Sequence, residues 1–349
     1  MKDTANHDDD GRVIAHQDGT NRDARRDTAG AGTAPAVTVL MSVRDAPVEM
    51  LDGAVASVLG QTFTDFEFLI LDDGSRAGAC RDALERHAQS DARIRLRHEP
   101  ARGLTKTLNL GLAGAAGRYI AREDADDWSE PDRLARQVEF LDHHPEIAVC
   151  GTNAWMHQEN GAPLWATRLP EQGAEIARAL ERGNPFVHGA TMFRAHAARA
   201  VGGYCERFAC SQDYDFFWRL ADAGGAVNLA APLYHYRFRR GAVSEQRAAE
   251  QARVHRATRA LAGARRVGAD ADIGGALEEA DRHMRVPRER LGALLKQADH
   301  RLLAGDYAGA ARAYRSLLGR HPANALAWGK LIRWLVFLTA PRARRLCFR

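Results

Sequence analysis

Between Val37 and Ala121 short apolar runs alternate with amphipathic stretches, and this rhythm constrains the fold more than any other feature. Val37–Val43 is a β-branched apolar run that reads as a buried strand. Met50, Leu51, Ala54, Val55, Val58 and Leu59 then recur at a helical period. Phe66–Leu71 reads as a second strand, stopped by Asp72, Asp73, Gly74 and Ser75. A helix over Gly78–Gln89, a strand over Ile94–His98, a helix over Leu104–Ala115 and a strand over Tyr119–Ala121 follow. Strands that alternate with helices predict an α/β fold with a Rossmann-like, mostly parallel sheet flanked by helices. Such sheets bind ligands at the carboxyl ends of their strands, where the polar turns of this chain fall.

Past Ser244 the strand pattern ends, which divides the chain into four expected parts. Residues 1–34 are rich in Gly, Ala, Thr and Asp and predict a disordered tail. No apolar segment follows Lys2, so a secretory signal is not expected. Residues 35–244 form the α/β domain, 245–285 a helical linker, and 286–349 a C-terminal all-helical region. Within the last part, Gly305, Tyr307, Ala310, Tyr314 and Pro322 stand where the second half of a tetratricopeptide repeat has them. One such unit cannot cover its own apolar face, so a hairpin packed on the main domain is expected. The apolar run Leu331–Ala340 is broken by Arg333 and is shorter than the ~20 residues that span a bilayer.

Charge is placed unevenly. The net charge is +4 overall, but Glu245–Arg349 holds 21 Lys+Arg against 10 Asp+Glu, a net of +11 that leaves −7 elsewhere. A basic rear suits nucleic acid, an anionic membrane surface or an acidic partner, or merely solubilises Arg-rich helices, and charge alone does not choose among them; with the other features, no nucleic-acid partner is expected. Trp328 and Trp334 in an apolar run, followed by four arginines in Pro341–Arg349, match an interfacial helix on an anionic leaflet. The alternative is that both tryptophans pack into the hairpin. The five cysteines contain no Cys-x-x-Cys pair, so neither a zinc ribbon nor a disulfide framework is indicated.

Two acidic clusters follow strands: Asp72 with Asp73, and Asp124, Asp126 and Asp127. Carboxylates two apart at a strand end point the same way. Asp124 and Asp126 can therefore converge on a hard cation, which takes oxygen ligands and neutralises charge on a departing diphosphate. Asp-rich turns also form for purely local reasons, but two clusters at successive strand ends favour a site. A haloacid-type phosphatase would need a Thr two residues beyond Asp126, where Trp128 stands.

These pieces stand in one order: Thr38–Val43, Ser57–Phe66, Leu71–Ser75, Gly103–Gly111, Ala121–Asp127, Pro131–Arg133 with Gln137, Asn184–His188, Gly202–Tyr204, Gln212–Asp215 and Tyr236–Arg237. In that order, Val37 to about Ser244 resembles a family 2 glycosyltransferase of the GT-A fold. The resemblance implies an inverting transfer from a nucleotide-sugar donor, a UDP-sugar, to a glycan or lipid-linked acceptor in surface polysaccharide biosynthesis. It implies that Asp72 and Asp73 hold base and ribose, with Ser42, Lys106 and Arg237 also on the donor side. Asp126 would be the main ligand of a Mn²⁺ or Mg²⁺ ion, and Asp124 a contact to ribose or metal. Asp213 occupies the position of the general base, just after Ser211, a candidate N-cap. His188 and Gln212 fall on the acceptor side.

Lys106 is the sole lysine between Pro35 and Ser244; a compact ammonium there suits a diphosphate, or is an ordinary surface lysine. Two positions depart from the family pattern. Gln212 stands where an acid commonly precedes the base, and Arg239 where many members have a His. An arginine cannot ligate a metal, though it can clamp a pyrophosphate. The implied setting is cytoplasmic, peripheral on the inner face of the cell membrane. The alternative is a catalytically inactive nucleotide-sugar-binding or repeat-type adaptor.

Overall fold

The computed structural model describes residues 34–339 other than 271, 285 and 286. The strands are β1 (Val37–Val43), β2 (Phe66–Asp73), β3 (Ile94–Glu99), β4 (Tyr119–Asp124), β5 (Trp128–Ser129), β6 (Val149–His157), β7 (Pro163–Ala166), β8 (Met192–Arg194) and β9 (Ala226–Arg237). They join in one sheet of order β3-β2-β1-β4-β8-β6-β9-β5, with β7 on β6. All eight residues of β2 are buried, as a strand covered on both faces requires. Val39, Met41, Phe68 and Ile70 face one core with Leu51, Val55, Leu84 and Val138 of the helices Val48–Leu59, Gly78–Ser90 and Arg133–His143. Leu40, Leu69 and Leu71 face the other with Leu108, Phe216, Phe217 and Leu220 of the helices Leu104–Gly114 and Gln212–Gly224.

The sheet is mixed and not wholly parallel: its long ladders are parallel and its short ones antiparallel. β1, β2, β3 and β4 pair in parallel, and so do β6 and β9. β8 pairs antiparallel with both β4 and β6, β5 with β9, and β7 with β6. The helix–strand alternation that enforces parallel crossovers stops at β4. Three-residue β8 then enters reversed, so that β6 again runs in the direction of β4. The register sets Ser42 beside both Leu71 and Asp124, and Val43 beside Asp72. The carboxyl ends of β1, β2 and β4 therefore meet at one edge.

After β9 the described chain is helical. Helix Ala248–Arg266 packs on Gln212–Gly224, and helix Ile273–Met284 packs on it through Val254, Leu261 and Leu277. Helices Pro287–Leu303 and Tyr307–Arg320 pack on each other, and the carboxylate of Asp306 caps the second by accepting from Gly309 N at 2.9 Å. Leu295, Leu302, Tyr314 and Leu317 close on Trp334 of helix Ala325–Thr339, against Leu164, Trp165 and Phe238 of the α/β domain. Trp334 is thus a packing residue, and its Nε1 donates to Asp299 at 2.9 Å, whereas Trp328 is half-exposed. The arginines of 341–349 and the tail of 1–33 lie outside the described residues. Among the described residues no helix is long and apolar enough to cross a membrane.

Candidate active site

β4 delivers its last residue, Asp124, to the sheet edge, and the turn that follows carries Asp126 and Asp127. Each carboxylate has its own partners. Arg122, buried in β4, places Nη2 2.5 Å from Asp124 Oδ1. Arg239 places Nε 2.9 Å from Asp126 Oδ2. Buried Asp127 is structural: it accepts from Tyr234 Oη at 3.0 Å and from the Arg237 amide at 2.7 Å, which ties the turn to β9. Gly189 makes room for this tie, since a Cβ there would lie 2.0 Å from Tyr234 Oη. Burial, and then the charge of Asp124, raise the Asp126 carboxyl above its ordinary range. Two mutually repelling carboxylates on one turn form a hard-oxygen set that fits Mg²⁺ or Mn²⁺. Among the described residues no three His, Cys, Asp or Glu side chains surround a common metal position, so such an ion would need further oxygens from a ligand.

Behind the turn lies a buried ion pair. Arg133 Nη1 donates to Glu123 Oε2 at 2.9 Å and Nη2 to the Arg122 carbonyl at 2.7 Å. Gln137 accepts from Arg133 Nε and donates to the Cys150 and Ala190 carbonyls. Burial pushes the Glu123 carboxyl up to about 7, against the pull of Arg133. The Pro131–Arg133 and Gln137 motif therefore holds the acidic turn from below.

The first acidic cluster is held by its own loops. Asp72 accepts from Ser75 N at 2.9 Å and meets His98 Nδ1 at 2.8 Å, while His98 Nε2 meets Glu85 at 2.8 Å. A ring between two carboxylates must donate from both nitrogens, so His98 is an imidazolium. The Asp72 bond, opposed by burial and aided by Glu85, raises its pKa above 6.5. Stability from this bridge is therefore full below pH ~6.5 and is lost as pH rises through the raised value. His98→Gln is expected to cost about 1 kcal/mol at pH 6, with the difference in Tm from wild type narrowing at alkaline pH. A pH-independent difference would show that the bridge carries no charge.

Asp73 accepts from Arg102 N at 2.6 Å, Gly103 N at 3.0 Å and Thr107 Oγ1 at 2.9 Å, and so forms the entry to helix Leu104–Gly114. Gly103 turns there at φ +89°. Lys106 is exposed on the first turn of that helix. Ser42 lies beside Asp124 in the sheet register.

Asp213 opens the helix Gln212–Gly224. Ser211 does not cap that helix as expected: its backbone is left-handed, φ 52°, and its side chain makes no capping bond. A non-glycine residue held there costs about 1–2 kcal/mol. Asn184 Nδ2 donates to Asp213 Oδ2 at 2.7 Å. Burial raises the Asp213 carboxyl, the Asn184 bond opposes this, and the charge of Asp124 reaches it. His188 meets Tyr204 Oη at 3.0 Å; burial and Arg122 hold its pKa down to about 3, so the ring is neutral. Gln212 is buried with Oε1 unpartnered. The charge of Asp124 acts on Asp126, Asp213 and His188 alike.

The profile of Glycosyl transferase family 2 matches residues 38–201. The chain is also 34% identical over 210 residues to EpsE of Bacillus subtilis (strain 168), covering 58% of this chain and 73% of that protein. The chain belongs to glycosyl transferase family 2. A second relative, the amylovoran biosynthesis glycosyltransferase AmsE of Erwinia amylovora, is 28% identical over 200 residues, covering 57% of this family 2 chain and 74% of AmsE. Two solved structures share the fold. S. aureus TarS 1-349 in complex with UDP-GlcNAc superposes with TM-score 0.53 at 17% identity over 83% of this chain and 93% of that one. The mannosyltransferase PcManGT from Pyrobaculum calidifontis, in complex with GDP-Man and Mn2+, gives 0.51 at 16% over 90% and 83%. The family 2 domain is thus GT-A-like, with a mixed sheet.

Sequence reasoning missed several residues of this family 2 site. Arg122 is a charge inside an otherwise buried strand, a signal that was available. Tyr234 and His235 lie in an aromatic–basic run, where Trp128 stacks on His235 at 4.7 Å and the Arg237 guanidinium lies 4.9 Å from the Trp128 ring centre. His157 and His235 join at 2.9 Å between two acceptors, the Gly161 carbonyl and Glu130. Burial, opposed by the bond to the Gly161 carbonyl and reinforced by Arg237, holds the His157 pKa below 6.5. His98 and the buried bonds of Arg133 had no local signal.

Proposed function

We propose that this family 2 chain is an inverting, metal-assisted glycosyltransferase that moves a sugar from a nucleoside-diphosphate sugar to a hydroxyl acceptor. The observation that carries the reading is the pair of carboxylates Asp124 and Asp126 at and just past the carboxyl end of β4, with the charge of Asp124 also reaching Asp213 at the start of helix Gln212–Gly224. Asp213 takes the proton of the acceptor hydroxyl. The acceptor oxygen bonds to the anomeric carbon as the bond to the phosphate oxygen breaks, and the electron pair leaves with the nucleoside diphosphate. Asp124 and Asp126 would hold the divalent cation, which when bound neutralises charge on that diphosphate. With its pKa held down to about 3, the His188 ring is a weaker base than the raised carboxylate of Asp213. Ser42, Lys106 and Arg237 would line the donor side, and Asp72 and Asp73 would shape the base and ribose loops from within.

TarS with UDP-GlcNAc supports a UDP-sugar donor, and PcManGT with Mn2+ supports the metal. AmsE supports a role in polysaccharide biosynthesis, and we read the acceptor as a glycan or lipid-linked glycan at the inner membrane face. Lys296 of helix Pro287–Leu303 lies within the field of Asp213, so the helical region would border the acceptor side. Thermal melts with UDP- and GDP-sugars plus Mn²⁺ test the reading. A ligand at about 100 times its Kd stabilises by about 2.7 kcal/mol, so one sugar nucleotide should raise Tm and then turn over. A flat response to all of them would overturn it.

A further inference from the structure

Arg239 is built into the metal position. Its Nε lies 2.9 Å from Asp126 Oδ2, and the pair is only 29% and 25% exposed. The backbone on either side is held by other elements. The Phe238 amide donates to the His157 carbonyl at 2.9 Å, and His300 Nε2 meets the Arg239 carbonyl at 2.8 Å. Further along, the Gly241 amide donates to Glu245 at 2.7 Å, and Glu245 is paired with Arg301 at 2.7 Å. Helix Pro287–Leu303, which supplies both His300 and Arg301, therefore anchors the loop. Only the Arg239 side chain is left to move, and it ends on the oxygen a cation would take.

We infer that Arg239 is an internal counter-ion that a metal must displace from Asp126, and that the displaced guanidinium then closes on the donor's diphosphate. The inference rests on the reading of Asp124 and Asp126 as the metal site. A guanidinium and a divalent cation cannot share one carboxylate oxygen without like-charge repulsion. A diphosphate is the better partner for the planar fork once it arrives, because it offers parallel anionic oxygens. Metal and nucleotide are thereby coupled: metal alone must break the Arg239–Asp126 pair, whereas metal with diphosphate gives Arg239 a new partner. Couplings of this kind are typically 5- to 150-fold. Asp124 does not enter the exchange, since its partner Arg122 is fixed within β4.

The test is binding of Mn²⁺ alone, and of UDP in saturating Mn²⁺, to the full-length wild type and the variants Arg239→Gln, Arg239→Lys and Asp126→Asn. Arg239→Gln is expected to bind Mn²⁺ alone about tenfold more tightly and UDP about tenfold more weakly, opposite signs that a misfolded variant would not show. Arg239→Lys, which keeps the cation, should stay within about threefold of wild type for Mn²⁺. Equal Mn²⁺ affinity in wild type and Arg239→Gln, with binding lost in Asp126→Asn, would overturn the counter-ion and leave the metal site standing. Absence of Mn²⁺ binding in both wild type and Arg239→Gln would overturn the metal site itself, and the inference with it.

Discussion

Asp213→Asn is expected to lower turnover by about 10²–10⁴-fold, the usual contribution of a positioned general base, while the donor Kd stays within about twofold. The amide keeps the shape of the carboxylate and can still meet Asn184, but it cannot accept the acceptor proton. Because burial raises the Asp213 carboxyl above 3.8, the acid limb of the wild-type pH–rate profile should fall above the ordinary carboxylate range. Activity is then lost as pH drops through that raised value, and the limb should vanish from the residual rate of the variant. Steady-state kinetics and donor titration check this together. If donor affinity fell as far as turnover, Asp213 would be a binding residue.

Asp126→Ala should abolish metal-dependent transfer with the fold intact. Removing an electrostatic partner of developing charge costs about 3–4 kcal/mol, or 10²–10³-fold in kcat. The turn should survive because Asp127, not Asp126, ties it to Tyr234 and the Arg237 amide. Tm should stay close to wild type, since the lost Arg239 pair is partly solvated and worth about 1 kcal/mol or less. Full activity in EDTA, or in the variant, would sink the assignment.

β1, β2 and β4 were legible because they are buried on both faces between helices with one apolar stripe, and β3, a largely exposed edge strand, was legible from its place in the helix–strand alternation. β8 was not legible: three residues carry no period, and their reversed direction is set by the strands on either side. The spacing of Asp124 and Asp126 marked a candidate pair, but β4 ends at Asp124, so the turn and not strand alternation sets the position of Asp126. Their guanidinium partners were not legible, because Arg239 lies 113 positions from Asp126 and the departure at that position could be seen but not its contact. The Pro131–Arg133 motif was visible as a pattern, yet its work, bonding Glu123 and the Arg122 carbonyl, depends on burial. Ser211 shows the opposite failure. Residue type suggested a cap, and a left-handed backbone forced by the loop overrode it.

The tie between the acidic turn and β9 also has a cost in time. Asp127 is bonded to the Arg237 amide across 110 positions. At about 5–20 residues per second, the ribosome would deliver the turn roughly 5–20 s before the strand that holds it. During that interval β1–β4 can collapse on their helices, but Asp124, Asp126 and Asp127 have neither Tyr234 nor Arg239 to offset them. The nascent N-terminal half is therefore a sheet with an unfinished mouth. Donor binding should appear only after the end of β9 emerges, as the last step of synthesis of the α/β domain.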